Sequence, residues 1–319
     1  MCICTYVTCC IAVGGSLCQA VEVPVDESDA ATCLVPAGSY LLGDAFEEGY
    51  PFDAEGPQHT VELDAFDIDA TPVTNAQFAR FVEATGHVTD AETAGSSAVF
   101  HLAVAAERHH VIGRSPSAPW WLLVAGADWR HPFGPLSDLD ELADHPVVHV
   151  SWYDAAAYAR WAGRALPGEW QWEAAARGGL TGARYAWGDE LTPGGHWMCN
   201  IWQGTFPSRN TRDDGWLATS PVRSYPANGL GLYDVAGNVW EWCADRFETR
   251  APAASSTGAP LLPIAQPERR VTRGGSYLCH ESYCNRYRVA ARTGNTPDST
   301  MGNCGFRTVG PRTEAPGDR

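Results

Sequence analysis

From residue 180 to residue 310 the chain never holds an apolar period long enough for a sustained helix. Short β-like runs break off repeatedly at Gly, Asn, Pro or Asp. Such a stretch cannot supply the long helices of a bundle or of a doubly wound α/β domain. It must build short strands joined by turns, and something must tie down the loops between them. The 13 Trp residues of the chain are one candidate tie, and bound ions are another.

The helical signals lie before that stretch. Thr74 reads as the N-cap of a helix whose face carries Phe78, Phe81 and Val82 and which ends at Gly86. Ser151 followed by Asp154 has the spacing of a capping box, with Ala155, Tyr158, Ala159 and Ala162 as the apolar face. A third short helix is expected over residues 169–177, closed by Gly178-Gly179. Residues 34–43 read as strand, Pro-Ala-Gly turn and strand; an acidic loop follows, and residues 59–68 read as a single strand. Residues 87–145 show little periodicity and many turn signals, and residues 250–267 read as an inserted surface loop. The expectation is an α+β fold with little regular secondary structure, one domain over residues 31–312 and a tail over 313–319.

Charge excludes one large class of function. A net charge of −16 argues against a nucleic-acid partner, which requires a basic face. All 22 basic residues are Arg, so the Lys of a phosphate-binding P-loop is missing. Neither G-x-S-x-G nor H-E-x-x-H occurs, and His109-His110 reads as a surface pair. Five cysteines fall within the first 18 residues, in an apolar segment without a basic residue. A secretory signal normally begins with a positive region, and residues 1–20 are short and rich in Thr and Gly for a membrane span. Residues 1–30 are therefore read as an N-terminal extension, either unstructured, a misassigned start or a degenerate signal. A secreted protein is expected if that segment acts as a signal; no membrane partner is expected.

Of the remaining cysteines, Cys33, Cys199, Cys243 and Cys304 are scattered, whereas Cys279 and Cys284 form a C-x₄-C pair. The pair lies in a polar stretch beside His280, Arg286 and Arg288, and cationic neighbours lower a thiol pKa. Three readings stand: a structural disulfide, a redox or nucleophilic pair, and a metal site. Two thiolates without other ligands suit Cu(I). Asp234 and Glu241 lie among glycines and free carbonyls, as hard cations such as Ca²⁺ require, and residues 199–215 offer the same ligand types.

The run Gly274-Gly275-Ser276-Tyr277-Leu278-Cys279-His280-Glu281-Ser282-Tyr283-Cys284-Asn285-Arg286-Tyr287-Arg288, followed by Ala290-Ala291-Arg292 and Asn295-Thr296-Pro297-Asp298, resembles the active-site segment of formylglycine-generating enzymes. These are also called sulfatase-modifying factors. His145-Pro146-Val147-Val148-His149-Val150-Ser151-Trp152, Asn200-Ile201-Trp202-Gln203-Gly204 and Gly237-Asn238-Val239-Trp240-Glu241-Trp242 also match, and the resemblance runs from about residue 33 to 310. The Gly-Asn-Val-Trp-Glu-Trp block is shared with members of other activity, so the two-cysteine segment is the specific part.

The resemblance implies a C-type-lectin-like α+β fold and O₂-dependent conversion of the cysteine in a sulfatase Cys-x-Pro-x-Arg motif to Cα-formylglycine. The implied partner is an unfolded sulfatase polypeptide, and a monomer is expected; the vertebrate members' structural disulfides have no obvious counterpart here, which implies a cytoplasmic bacterial protein. Cys279 and Cys284 would hold Cu(I), with Ser276 and Tyr283 beside them as catalytic residues. Trp240, Asn303, His280 and Arg292 would meet the substrate. One Ca²⁺ would use Asn200, Ile201, Asp214 and Trp216, and a second Asp234, Gly237, Val239 and Glu241. Asp234 stands where many members have Asn, Gly168 stands where they have a Thr N-cap, and Cys304 adds a thiol near the implied pocket. A non-catalytic lectin-like binding module on the same scaffold is the alternative.

Overall fold

The computed structural model describes residues 31–248 and 268–311, with the backbone of a paired hairpin, Tyr6–Cys9 and Val21–Pro24, ahead of them. The loop expected over 250–267, the tail over 313–319 and most of the N-terminal extension lie outside the described residues.

The architecture is α+β, built among the described residues from small sheets and four short α-helices. A four-stranded sheet runs in the order Arg292–Asn295, Arg270–Arg273, Trp240–Arg246, Cys304–Gly305. Its first two contacts are antiparallel, and Cys304–Gly305 lies parallel to Trp240 and Glu241. Along Trp240–Arg246 successive side chains alternate between faces. Trp240 and Trp242 enter one apolar cluster with Phe78, Tyr158 and Phe306, while Cys243 enters another with Phe66, Ile68 and Trp172. This strand therefore divides the core. A three-stranded sheet places Phe66–Asp69 between Thr32–Val35 and Val309–Pro311, and all four central residues are buried.

The helices follow their local chemistry. In α1 (Asn75–Thr85) Thr74 and Gln77 make both bonds of a capping box, and Gly86 closes the helix in the left-handed region at φ 68°. The short helix α2 (Asp90–Ala94) has its own capping box from Thr89 and Glu92. Ser151 and Asp154 cap α3 (Trp152–Trp161) as expected. In α4 (Glu169–Ala176) the N-cap Gly168 has no side chain to offer. The Glu169 N–H instead donates to Asp245 Oδ2 at 2.5 Å, and the Gly168 N–H to Gln171 Oε1 at 2.9 Å.

Two expectations need correction. Residues 59–68 form two strands in different sheets: His59–Leu63 pairs with Gly38–Leu42, and Phe66–Asp69 joins the three-stranded sheet. The region 87–145 contains α2 and a second three-stranded sheet, Ser96–Phe100, Trp121–Ala125 and Val111–Arg114. No helix among the described residues is long and apolar enough to cross a membrane.

The ties between loops are chiefly buried arginines. Arg307 is fully buried, donating to Glu241 at 2.6 and 2.8 Å and to the carbonyls of Asp69 and Tyr233. Arg288 holds Glu55 at 2.6 and 3.0 Å, and Arg273 joins Glu173 to the carbonyls of Ala290 and Ala291. A guanidinium has five donors in a rigid fork, so one side chain can satisfy a carboxylate and several irregular backbone segments together.

Candidate functional site

Gly274 and Gly275 turn the chain out of strand Arg270–Arg273 with φ of 88° and 74°. A Cβ on Gly275 would stand 2.7 Å from the Arg286 carbonyl oxygen, so only glycine permits the two limbs of this loop to touch. Between them the His280 carbonyl accepts from the N–H groups of Tyr283, Cys284 and Asn285 at 2.9–3.0 Å. That turn makes the C-x₄-C spacing effective: it carries Cys284 back to Cys279, and the two thiols hydrogen-bond to one another.

Both cysteines are buried and free. They lie in the wall of a cavity of about 260 Å³ that is also lined by Trp121, Trp240, Ser276, Leu278, Tyr283, Arg286, Thr293, Asn295, Met301 and Asn303. The polar sequence around the pair does not expose it, because Arg286 and Arg288 turn inward onto Asp53 and Glu55.

The two sulfurs are electrostatically unequal. Burial pushes both thiols up. For Cys284 the hydrogen bond from Cys279 and the neighbouring Arg286 guanidinium outweigh burial, and its pKa falls below the ordinary value. For Cys279 burial and the Cys284 charge prevail, and its pKa lies well above, although the Ser276 N–H donates to its sulfur at 3.4 Å. The Asn303 amide donates to Ser276 Oγ at 2.9 Å, while its own Oδ1 is buried without a partner. Tyr283 is half exposed at the rim, stacked on Phe206 at 4.2 Å with Trp120 edge-on at 4.8 Å; burial of its hydroxyl pushes the pKa to about 12.

Thus Cys279, Cys284, Ser276, Tyr283, Trp240 and Asn303 come together at one cavity. His280 and Arg292 stand outside its wall. His280 Nδ1 bonds Ser282 Oγ, and Arg292 is committed to Glu169 and to the Asp53 carbonyl. Cys304 is also outside, its thiol pushed well above the ordinary range by burial and by Glu241. Trp121, Leu278, Thr293 and Met301 were not singled out from the sequence. Trp121 arrives from a strand with weak alternation, and nothing local marks a Trp or Met as lining a cavity.

The donor chemistry of the pair fits a soft cation: two adjacent thiols, one favoured as thiolate, beside open volume. The first oxygen cluster fits a hard cation. Asp214 accepts from the Ile201 and Trp216 N–H groups, has no ion-pair partner among the described residues, and is pushed up chiefly by burial. The Gln203 amide donates to the Ile201 carbonyl and to Asp214, placing partial positive charge between the two oxygens. In the second cluster Asp234 Oδ1 is buried without a partner, and burial raises the carboxyl pKa to about 6. In that cluster Glu241 Oε2 is shared by Arg307 and Trp172, while Oε1 accepts from Arg307 alone and keeps a lone pair for a cation.

Comparison with known proteins agrees with this geometry. Residues 19–311 match the sulfatase-modifying factor enzyme 1-like domain family. The chain is 64% identical over 273 residues to the formylglycine-generating enzyme of Streptomyces coelicolor, covering 86% of this chain and 87% of that one. It is 55% identical over 276 residues to the enzyme of the same name from Thermomonospora curvata, covering 86% and 91%. PvdO from Pseudomonas aeruginosa shares the fold at 24% identity with a TM-score of 0.61, over 88% of this chain and 94% of PvdO.

Proposed function

Because the chain belongs to the sulfatase-modifying factor family, we propose that it converts the cysteine of a sulfatase Cys-x-Pro-x-Arg segment to Cα-formylglycine, with Cu(I) on Cys279 and Cys284 and O₂ as oxidant. The observation that carries this reading is the pair of hydrogen-bonded thiols in the wall of an open cavity. On the substrate, one hydrogen from Cβ and one from sulfur pass with two electrons to O₂ and leave a thioaldehyde, which water converts to the aldehyde with release of H₂S. Bound Cu(I) would supply redox chemistry toward O₂ and a coordination position for the substrate thiolate.

The chain's own residues have distinct tasks. The Ser276 N–H steadies the Cys279 sulfur, and Asn303 fixes Ser276 while presenting Oδ1 as an acceptor for the bound peptide. Trp121, Trp240 and the Tyr283–Phe206 stack give apolar faces against which an extended segment excludes water. Asn200, the Ile201 carbonyl, Asp214 and the Trp216 carbonyl are assigned to a structural Ca²⁺. Asp234, Glu241 and the Gly237 and Val239 carbonyls are assigned to a second.

The test incubates the protein with Cu(I) and a Cys-x-Pro-x-Arg peptide in air and follows the mass loss of thiol-to-aldehyde conversion. Cys279→Ser and Cys284→Ser are expected to abolish conversion while retaining the far-ultraviolet circular dichroism of the parent. Normal turnover by both variants would sink the proposal. Failure of the parent chain both to take up Cu(I) and to form aldehyde would favour a non-catalytic binding module.

A further inference from the structure

Arg286 lines the cavity and hydrogen-bonds the Cys284 sulfur, yet it is held from the far end of the sequence. Its Nε and NH2 both reach Asp53 Oδ2, at 2.7 and 2.6 Å, and its guanidinium lies 3.9 Å above the Tyr50 ring. Asp53 is itself buried and fixed twice. Its N–H donates to the Tyr50 carbonyl at 2.9 Å, and its carbonyl accepts from Arg292 at 2.8 Å. Arg292 in turn is held by Glu169. The guanidinium is thereby clamped on an aromatic face by a carboxylate from the acidic loop, with donors left over for the sulfur.

We propose that Asp53 is a positioning residue for the thiol pair, acting through Arg286, and that Arg286 supplies a fixed cation and hydrogen-bond donor beside a two-thiolate Cu(I) centre. This rests on the copper reading above. Cu(I) with two thiolates carries one net negative charge in a largely buried wall. A guanidinium fixed beside one sulfur and shared with Asp53 offsets part of that charge and donates to the sulfur, whereas a mobile one would favour water. The acidic loop thus belongs to the site, although Asp53 does not line the cavity.

The experiment is a double-mutant cycle in Cu(I) affinity, measured on the full chain by competition with a chromogenic Cu(I) chelator. Each variant is also checked by metal-free thermal unfolding and by the ultraviolet thiolate-to-Cu(I) absorption. Arg286→Gln is expected to weaken Cu(I) binding by on the order of tenfold or more, the worth of a hydrogen bond to a charged group. Asp53→Asn is expected to weaken it in the same direction, Asp53→Glu to restore much of the loss, and the double variant to match Arg286→Gln alone. Parent-like Cu(I) affinity in Asp53→Asn, or additive losses in the double variant, would overturn the proposal while leaving the copper site standing. A parent chain that takes up no Cu(I) would overturn the copper reading and this proposal with it. Should Asp53→Asn fail to fold, the Asp53→Glu and Arg286→Gln arms decide: parent-like affinity in Arg286→Gln overturns the proposal.

Discussion

Arg307 shows what a single residue does in this interior. Its guanidinium is paired with Glu241 and bonded to two backbone carbonyls, all away from water. Removing one partner of such a pair leaves an uncompensated buried charge and costs about 3–5 kcal/mol. Glu241→Gln is therefore expected to lower the unfolding free energy by that order in urea titration. Most of that loss should persist in a calcium chelator, because Arg307 is left unpaired whether or not a cation is bound. Gly275→Ala is expected to disrupt the cysteine loop, since the added carbon would collide with the Arg286 carbonyl; loss of Cu(I) uptake in a chain with normal circular dichroism would be the readout. At this scale the sequence was readable for Cys279, Cys284, Ser276, Tyr283, Trp240 and Asn303, because they fall in compact motifs. It was not readable for Arg292, whose neighbours in the motif point to the site while its own side chain serves Glu169.

At the level of elements, capping chemistry was the most legible signal and sheet pairing the least. The Thr74–Gln77 and Ser151–Asp154 boxes need only residues three apart, so a local pattern suffices. The strands Ser96–Phe100, Val111–Arg114 and Trp121–Ala125 carry no apolar–polar alternation in sequence, and their central pairing joins strands about twenty residues apart. Helix α4 shows the two scales meeting. Its missing Thr cap is replaced by Asp245 from the neighbouring strand, which no local pattern reveals. Gly168→Thr is consequently expected to change stability by no more than a few tenths of a kcal/mol, whereas Asp245→Ala should cost about 1 kcal/mol. Thermal unfolding of the two variants separates a cap made in place from one supplied across the fold.

Across the whole molecule, His149 links the core to pH. It is fully buried, with Nε2–H donating to the Pro132 carbonyl at 2.8 Å and Nδ1 hydrogen-bonded with the Ser97 hydroxyl at 2.7 Å. Burial lowers its pKa from 6.5 to about 4, so the unfolded chain takes up a proton first. Its contribution to stability is complete above pH 6.5 and is lost as the pH falls from there toward 4, by up to about 3 kcal/mol. His149→Gln is expected to flatten the stability profile across that window. On the proposed calcium assignment, a chelator should lower the thermal midpoint, and Asp214→Asn should remove much of that sensitivity. The arrangement of the ion pairs has a further consequence, in time. Asp53 and Glu55 lie 233 residues ahead of Arg286 and Arg288, and the strand that completes the sheet around Phe66–Asp69 is Val309–Pro311. While the chain is being made, the acidic loop leaves the ribosome long before its arginines exist. The pocket is therefore assembled only after residues 286–311 have emerged, and a translation product interrupted before them leaves the Asp53 and Glu55 carboxylates without their guanidiniums.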